Sequence, residues 1–303
     1  MSCSTKSTSI FFFLLFFLFL FSTQYFTTLA EFDQSEIVLG REETHIPFSY
    51  DERTGRGPSK WGYLNETWYL CKNGTKQSPI NIDKRSLKVY PKLGELKRDY
   101  KPASATLENR GYEISVIWKK DAGKITINGS DYRLLQCHWH TPSEHKINGE
   151  SFDLELHMVH QNNTTRQIAV VGILYKYGPS DPFLSLLYKQ IRKLHPGIQK
   201  IDLGNVYPGD VEFSKPSRSK KYYRYSGSLT TPPCSENVIW TLLHEVRTVS
   251  KEQVEVLKKA VYPGYEKNAR PTQPLNGRKV FLYNPWFNVK PTFDQVIQYL
   301  NLE

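Results

Sequence analysis

Two short segments carry side chains able to hold a metal ion. In Leu135-Gln136-Cys137-His138-Trp139-His140, side chains alternate across an extended strand. Gln136, His138 and His140 then share one face, and Leu135, Cys137 and Trp139 share the other. In Asp153-Leu154-Glu155-Leu156-His157-Met158-Val159-His160 the same parity sets Glu155, His157 and Val159 against Leu154, Leu156, Met158 and His160. His157 is the natural third partner of His138 and His140, while His160, on the apolar side, reads as a core histidine. If the two strands pair side by side, three imidazoles converge beside a carboxylate and an amide. Three neutral nitrogen ligands leave one tetrahedral position of Zn2+ open, which is the arrangement of a catalytic site. Zinc lowers the pKa of water at that position to roughly 7, so hydroxide is available near neutral pH. Gln136 and Glu155 would accept the second ring hydrogen of a ligand and fix its tautomer. A lone His-x-His is as often a pair of ordinary histidines; the amide and carboxylate at matching parity decide against that here.

The elements that must position these residues are mostly strands. β-Rich runs cover Tyr112 to Trp118, Lys124 to Ile127, Leu134 to His140, Asp153 to His160, Gln167 to Tyr177 and Val280 to Tyr283. Gly, Asn, Pro and Asp separate them at close intervals, which favours a largely antiparallel sheet. Two amphipathic helices are expected. One starts after Ser180-Asp181-Pro182 and runs to about Leu194; the other follows Ser250, whose Gln253 completes a capping-box pattern. The fold class is mixed α/β, mostly β: a single domain around a large twisted, mainly antiparallel central sheet with short peripheral helices. No linker, low-complexity tract or internal repeat interrupts the chain after Trp61, so residues 58–303 form one domain. Residues 31–57, polar and ending in Arg53-Thr-Gly-Arg-Gly-Pro58, read as an N-terminal arm.

The first thirty residues have the layout of a secretory signal peptide, with Lys6, an apolar run from Ile10 to Phe21 and a small-residue site at Thr28-Leu29-Ala30. Twelve apolar residues fall short of the roughly 20 that a spanning helix needs, so cleavage near Ala30 is expected and no stable membrane span remains. The product is secreted through the secretory pathway, extracellular or routed by it to a plastid. Asn-x-Ser/Thr acceptors at Asn65, Asn73, Asn128, Asn162 and Asn163 agree with that route. Three cysteines outlast cleavage. Cys137 lies on the apolar face of its strand, whereas Cys71 and Cys234 occupy Asn/Gly-rich and Pro-rich segments where a bridge forms easily. The expected disulfide is Cys71–Cys234, with Cys137 a buried free thiol. The net charge of +10, or +9 without Lys6, is accompanied by no nucleic-acid-binding motif and is read as a solvated basic surface. Its densest stretch, Lys215 to Arg224, contains Pro216 and several serines and reads as an exposed loop.

Four blocks in order, Gln77-Ser-Pro-Ile-Asn-Ile82, Gln136-Cys-His-Trp-His-Thr-Pro-Ser-Glu-His145, Glu155-Leu-His-Met-Val-His160 and Ser228-Leu-Thr-Thr-Pro-Pro233, resemble the α-class carbonic anhydrases, the second block most closely their plant and bacterial branches. The resemblance runs from about Trp61 to Tyr283. It implies reversible hydration of carbon dioxide to bicarbonate and a proton by a zinc-bound hydroxide on His138, His140 and His157. By the same resemblance the Thr230 hydroxyl accepts from that hydroxide and donates to Glu144. Thr231 lines the bicarbonate side, Tyr63 helps order a water chain, and Val159, Val170, Leu229, Val238 and Trp240 form the apolar wall that receives carbon dioxide. One position departs from the family. Tyr112 stands where fast members carry a proton-shuttling histidine, and a phenol with a reference pKa of about 10 relays protons poorly near neutral pH. The expectation is a slower enzyme that added buffer accelerates.

The main alternative is a storage or binding protein on the same fold, as some plant relatives are abundant tuber or nectar proteins with weak or no activity. Such proteins tend to lose a zinc ligand, and this chain keeps all three. A zinc peptidase is disfavoured by the lack of a His-Glu-x-x-His helix. Only the charge supports an adhesive domain. The oligomeric state is left between monomer and homodimer.

Overall fold

The computed structural model describes residues 48–195, 198–213 and 220–287. The signal segment, residues 31–47 of the arm and the chain beyond residue 287 lie outside the described residues. Ten strands run side by side: β1 (Lys88–Val89), β2 (Ala103–Asn109), β3 (Ile114–Trp118), β4 (Ser130–His140), β5 (Leu154–Gln161), β6 (Ile168–Tyr177), β7 (Lys200–Val206), β8 (Tyr222–Ser228), β9 (Glu236–Leu243) and β10 (Phe281–Tyr283). Their spatial order is β7-β2-β3-β4-β5-β6-β9-β8-β10-β1. Three further strands, Lys97–Tyr100, Gly123–Ile127 and Arg247–Val249, pair at the margins. Most pairs are antiparallel; β6 with β9 and β10 with β1 are parallel.

Register on the central strands follows from their two-sided chemistry. In β4 and β5, His138 pairs with His157 and His140 with Glu155, and a bulge at Leu135 brings Gln136 opposite Val159. The opposite face carries Cys137, Trp139, Leu154, Leu156 and Met158 into the main core, where Val171 and Ile173 of β6 join them. That face is covered by helices. Helix α1 (Pro182–Ile191) starts at the N-cap Asp181, whose carboxylate accepts from the Leu184 amide at 2.9 Å. It ends three residues short of Leu194. Helix α2 (Lys251–Ala260) has the expected capping box between Ser250 and Gln253. The Gln253 amide also brackets Asp181, accepting from its N–H and donating to its C=O at 2.8 Å each, so one side chain ties the two helix starts together.

One expectation needs correction, and the arm is seen to pack on the domain: Phe48 and Tyr50 set their rings on Trp61 with centroids 5.1 and 5.5 Å away. Their i, i+2 spacing in an extended segment puts both rings within reach of one indole. The basic stretch 215–224 is not a loop throughout: Tyr222, Tyr223 and Arg224 are buried in β8, with the Arg224 guanidinium over the Tyr222 ring. Alternating aromatics, rather than neighbouring lysines and serines, govern that end. Residues 215–219 lie outside the described residues. Strands β2, β7 and β9 were not among the expected runs; β2 and β7 carry Ala, Ser, Gly and Asn in place of a β-branched run, whereas β9 has Val238, Ile239, Trp240 and Thr241.

Candidate metal centre

Pairing of β4 with β5 brings one ring nitrogen from each of His138, His140 and His157 within 4.8 Å of the others, all three residues buried. The other nitrogen of each ring is committed. His138 Nδ1 lies 2.9 Å from Gln136 Oε1, His140 Nδ1 lies 2.7 Å from the Asn268 carbonyl oxygen, and His157 Nε2 lies 2.7 Å from Glu155 Oε1. Each acceptor fixes its tautomer and turns the remaining lone pair, on Nε2, Nε2 and Nδ1, toward a common point. Burial, followed for His138 by its two neighbouring imidazoles, lowers all three pKa values, so the rings are neutral at neutral pH. His140 Nε2 is buried with no hydrogen-bond partner among the described residues. Three neutral, buried, converging nitrogens fit zinc, which takes imidazole nitrogens and leaves a position open when the protein supplies three ligands.

Glu155 anchors a wider network. Its Oε1 also accepts from His145 Nδ1 at 2.7 Å, and its Oε2 from the backbone N–H groups of Glu144 and His145 at 2.9 and 2.8 Å. Burial alone would raise this carboxyl, yet the His145 and His157 rings bring it well below the usual range. Beyond it, His145 Nε2 accepts from the Tyr225 hydroxyl at 2.7 Å, which in turn lies 2.8 Å from Ser78 Oγ. Gly172 pairs with His157 across β5 and β6; a Cβ there would stand 2.6 Å from Leu242 Cδ1 and 3.3 Å from Glu155 Oε1. Glycine at that place leaves room for the carboxylate.

Glu144 closes the other side. Its Oε1 accepts from the Arg270 amide at 2.9 Å, while Oε2 has no hydrogen-bond partner among the described residues and stands 3.6 Å from His140 Nε2 and 4.0 Å from His157 Nδ1. Burial pushes its pKa up to about 7; His157 and the Thr230 hydroxyl pull against that rise. Thr230 is therefore placed beside Glu144. Asn268 and Arg270 were not foreseen, since nothing in their local sequence marks them. Asn268 adds side-chain bonds to the Thr141 amide and to the Tyr112 and Trp139 carbonyls, and Arg270 donates to Gln77, Ser78 and Cys71.

The apolar residues lie in one band. Val159 pairs with Val170, and Val170 with Trp240, on the face that carries His157, and the Trp240 and His157 rings are 4.8 Å apart. Val238 is buried two residues before Trp240 in β9, and Leu229 and Thr231 are half-buried beside Thr230. Tyr63 is not brought to the site: it is 63% exposed, with Lys72 3.9 Å over its ring. It sits on the helical turn Trp61–Leu64, which buries Trp61 and turns residue 63 outward. Tyr50 packs its ring against Phe48, Trp61 and Tyr265. Its buried hydroxyl is raised well above the ordinary phenol by burial and then by the charges of Glu144 and Glu113. Tyr112 is half-buried against Phe48, centroids 5.1 Å apart. Cys71 and Cys234 form the expected disulfide, and Cys137 is the buried free thiol, its pKa pushed up by burial. Asn73, Asn128 and Asn163 are exposed; Asn65 and Asn162 are half-buried, and the Asn162 amide donates to the Asp131 carbonyl at 2.9 Å.

Fold and site together set three buried, converging histidines, a cluster compatible with a metal ion, on the face of a large twisted sheet. Residues 56–284 match the model of the eukaryotic-type carbonic anhydrases, and the chain belongs to that family. It is 45% identical over 243 residues to alpha carbonic anhydrase 4 of Arabidopsis thaliana, covering 80% of this chain and 88% of that one. It is 44% identical over 271 residues to dioscorin DB3L of Dioscorea polystachya, covering 89% and 94%. Among solved structures, a dioscorin complexed with ascorbate superposes with a TM-score of 0.74 at 41% identity, over 78% of this chain and 98% of that one. An α-carbonic anhydrase from Thermovibrio ammonificans in complex with sulfanilamide gives 0.68 at 34%, with the same coverage.

Proposed function

We propose that the chain is a zinc enzyme interconverting carbon dioxide and bicarbonate, with the metal on His138, His140 and His157. The carrying observation is the convergence of three buried, neutral imidazoles, each with its second nitrogen held by a separate acceptor. Zinc bound there supplies a Lewis acid that makes water a nucleophile near neutral pH. The chain's own residues do the positioning. The Thr230 hydroxyl, were it to donate to Glu144, would keep only lone pairs for the metal position, and would so select a ligand with a proton to give and orient it. Val159, Val170, Leu229, Val238 and Trp240 offer an apolar slot, which suffices for a linear molecule without charge. Thr231 stands on the side where bicarbonate forms. Tyr50, whose buried hydroxyl feels the charges of Glu144 and Glu113, would order the water chain.

The same proposal includes secretion after signal cleavage, with glycans on exposed sequons such as Asn73, Asn128 and Asn163. No helix among the described residues is long and apolar enough to cross a membrane. The likeness to dioscorins favours a second reading, a storage or binding protein on this fold. Stopped-flow carbon dioxide hydration on protein of measured zinc content separates the two. One zinc per chain and activity that His157→Ala abolishes support the enzyme; zinc-loaded but inactive wild type supports the second reading.

A further inference from the structure

The face that carries the histidines also holds a charge that the proposed reaction leaves without a task. Ser115 pairs with His138, so Glu113, two residues earlier, falls in register beside His140. It is 3% exposed. Its Oε2 lies 3.8 Å from His138 Nε2, the nitrogen turned to the metal position, and its Oε1 accepts from Arg110 Nη1 at 3.0 Å. Arg110 Nε stands 3.8 Å from Glu108 Oε2, and Glu108 Oε1 is 2.7 Å from Lys200 Nζ at the surface. Four charges thus alternate from solvent inward, and the innermost is a carboxylate. Among the charges acting on His140, that of Glu113 is foremost.

Glu113 does not converge with the three histidines as a fourth ligand, since its oxygens fall outside their common cluster. It borders the open position instead. Arg110 fixes the carboxylate in one orientation, and water screens little at so buried a place. An anion entering the position meets that fixed negative charge; neutral carbon dioxide does not. Arg110 offsets part of the repulsion, its charge being felt at His138, whereas at His140 the charge of Glu113 stands foremost.

The geometry points to Glu113, held by Arg110, as an anion-excluding residue that weakens small anions at the metal position and so favours a neutral substrate and loss of an anionic product. The inference rests on reading His138, His140 and His157 as a metal site. It is tested on protein loaded with cobalt(II), whose visible spectrum reports ligands at the metal. Thiocyanate and the neutral 1,2,4-triazole are titrated into wild type, Glu113→Gln and Glu113→Ala. Both variants are expected to bind thiocyanate about tenfold more tightly, about 1.4 kcal/mol, with triazole unchanged within twofold. Unchanged thiocyanate affinity overturns the inference, as does an equal gain for both ligands, which would make the effect steric. If neither variant takes up cobalt, Glu113 is a ligand or a structural group and the inference also falls. Metal-loaded protein that shows the thiocyanate shift but does not hydrate carbon dioxide leaves this inference standing and removes the proposed reaction.

Discussion

His140 Nδ1 donates to the Asn268 carbonyl oxygen at 2.7 Å across a separation of 128 residues. The Asn268 side chain meanwhile accepts from the Thr141 amide at 2.8 Å and donates to the carbonyls of Tyr112 and Trp139. One loop residue thus sets the orientation of a metal-facing ring and the position of the strand that bears it.

Asn268→Ala keeps the carbonyl but strips the side-chain bonds, leaving the Thr141 N–H buried without an acceptor. A loss of about 1–3 kcal/mol in stability is expected. Urea unfolding measures it, and chelator competition should show faster release of zinc. An unchanged unfolding midpoint would show that water replaces the amide at no cost.

Glu155 should matter to the metal as well as to the fold. It holds His157 and His145 through one oxygen and two backbone amides through the other. Removing an acceptor of this kind from a ligating histidine costs roughly 10–100-fold in metal affinity. Glu155→Gln retains one acceptor oxygen and Glu155→Ala none, so zinc affinity should rank wild type, then Gln, then Ala. Equal affinities in all three would mean that the tautomer of His157 is set elsewhere.

Parity made the ligand set legible. His138, His140, His157, Gln136 and Glu155 lie on strands of strong alternation, and the pleat carries that pattern directly into space. Asn268, Arg270 and Tyr50 act from irregular segments far along the chain, where no periodicity links a residue to its partners. Tyr63 fails for a related reason: Trp61-Gly62-Tyr63 is a helical turn, so its two aromatics cannot point the same way, whereas the extended Phe48-Ser49-Tyr50 sends both rings to Trp61. Strand β2 escaped because Ala103-Ser-Ala-Thr106 owes its place to neighbours on both sides rather than to propensity.

His160 gives the fold a pH dependence of definite sign. It is buried, with Nε2 2.8 Å from the Tyr100 hydroxyl, and burial lowers its pKa to about 3. The unfolded chain titrates near the reference of about 6.5. Between those values the unfolded state binds the extra proton. The stabilisation is fully present above about pH 6.5 and declines by about 1.4 kcal/mol per pH unit as pH falls toward 3. His160→Gln should reduce the slope of unfolding free energy against pH by one proton in this window. Denaturant titrations with a chelator present, so that metal release adds nothing, measure it; identical slopes would show that His160 is charged in the folded protein.

Tyr112 offers the sharpest kinetic test. Its backbone carbonyl is bound by Asn268, which also holds His140, so residue 112 is fixed relative to the centre whatever its side chain. Its ring rests against Phe48. A phenol, as a chemical type with a reference pKa of about 10, is less matched than an imidazole to taking up and releasing protons near neutral pH. Turnover of the wild type should then be limited by proton export and rise with the concentration of an imidazole-type buffer. Tyr112→His should raise turnover at low buffer by about tenfold or more and flatten the buffer response, while leaving zinc content unchanged because the Asn268 contact is to backbone. A wild type that is fast and indifferent to buffer would place the relay on another group, and Tyr112 would then be a packing partner of Phe48 only.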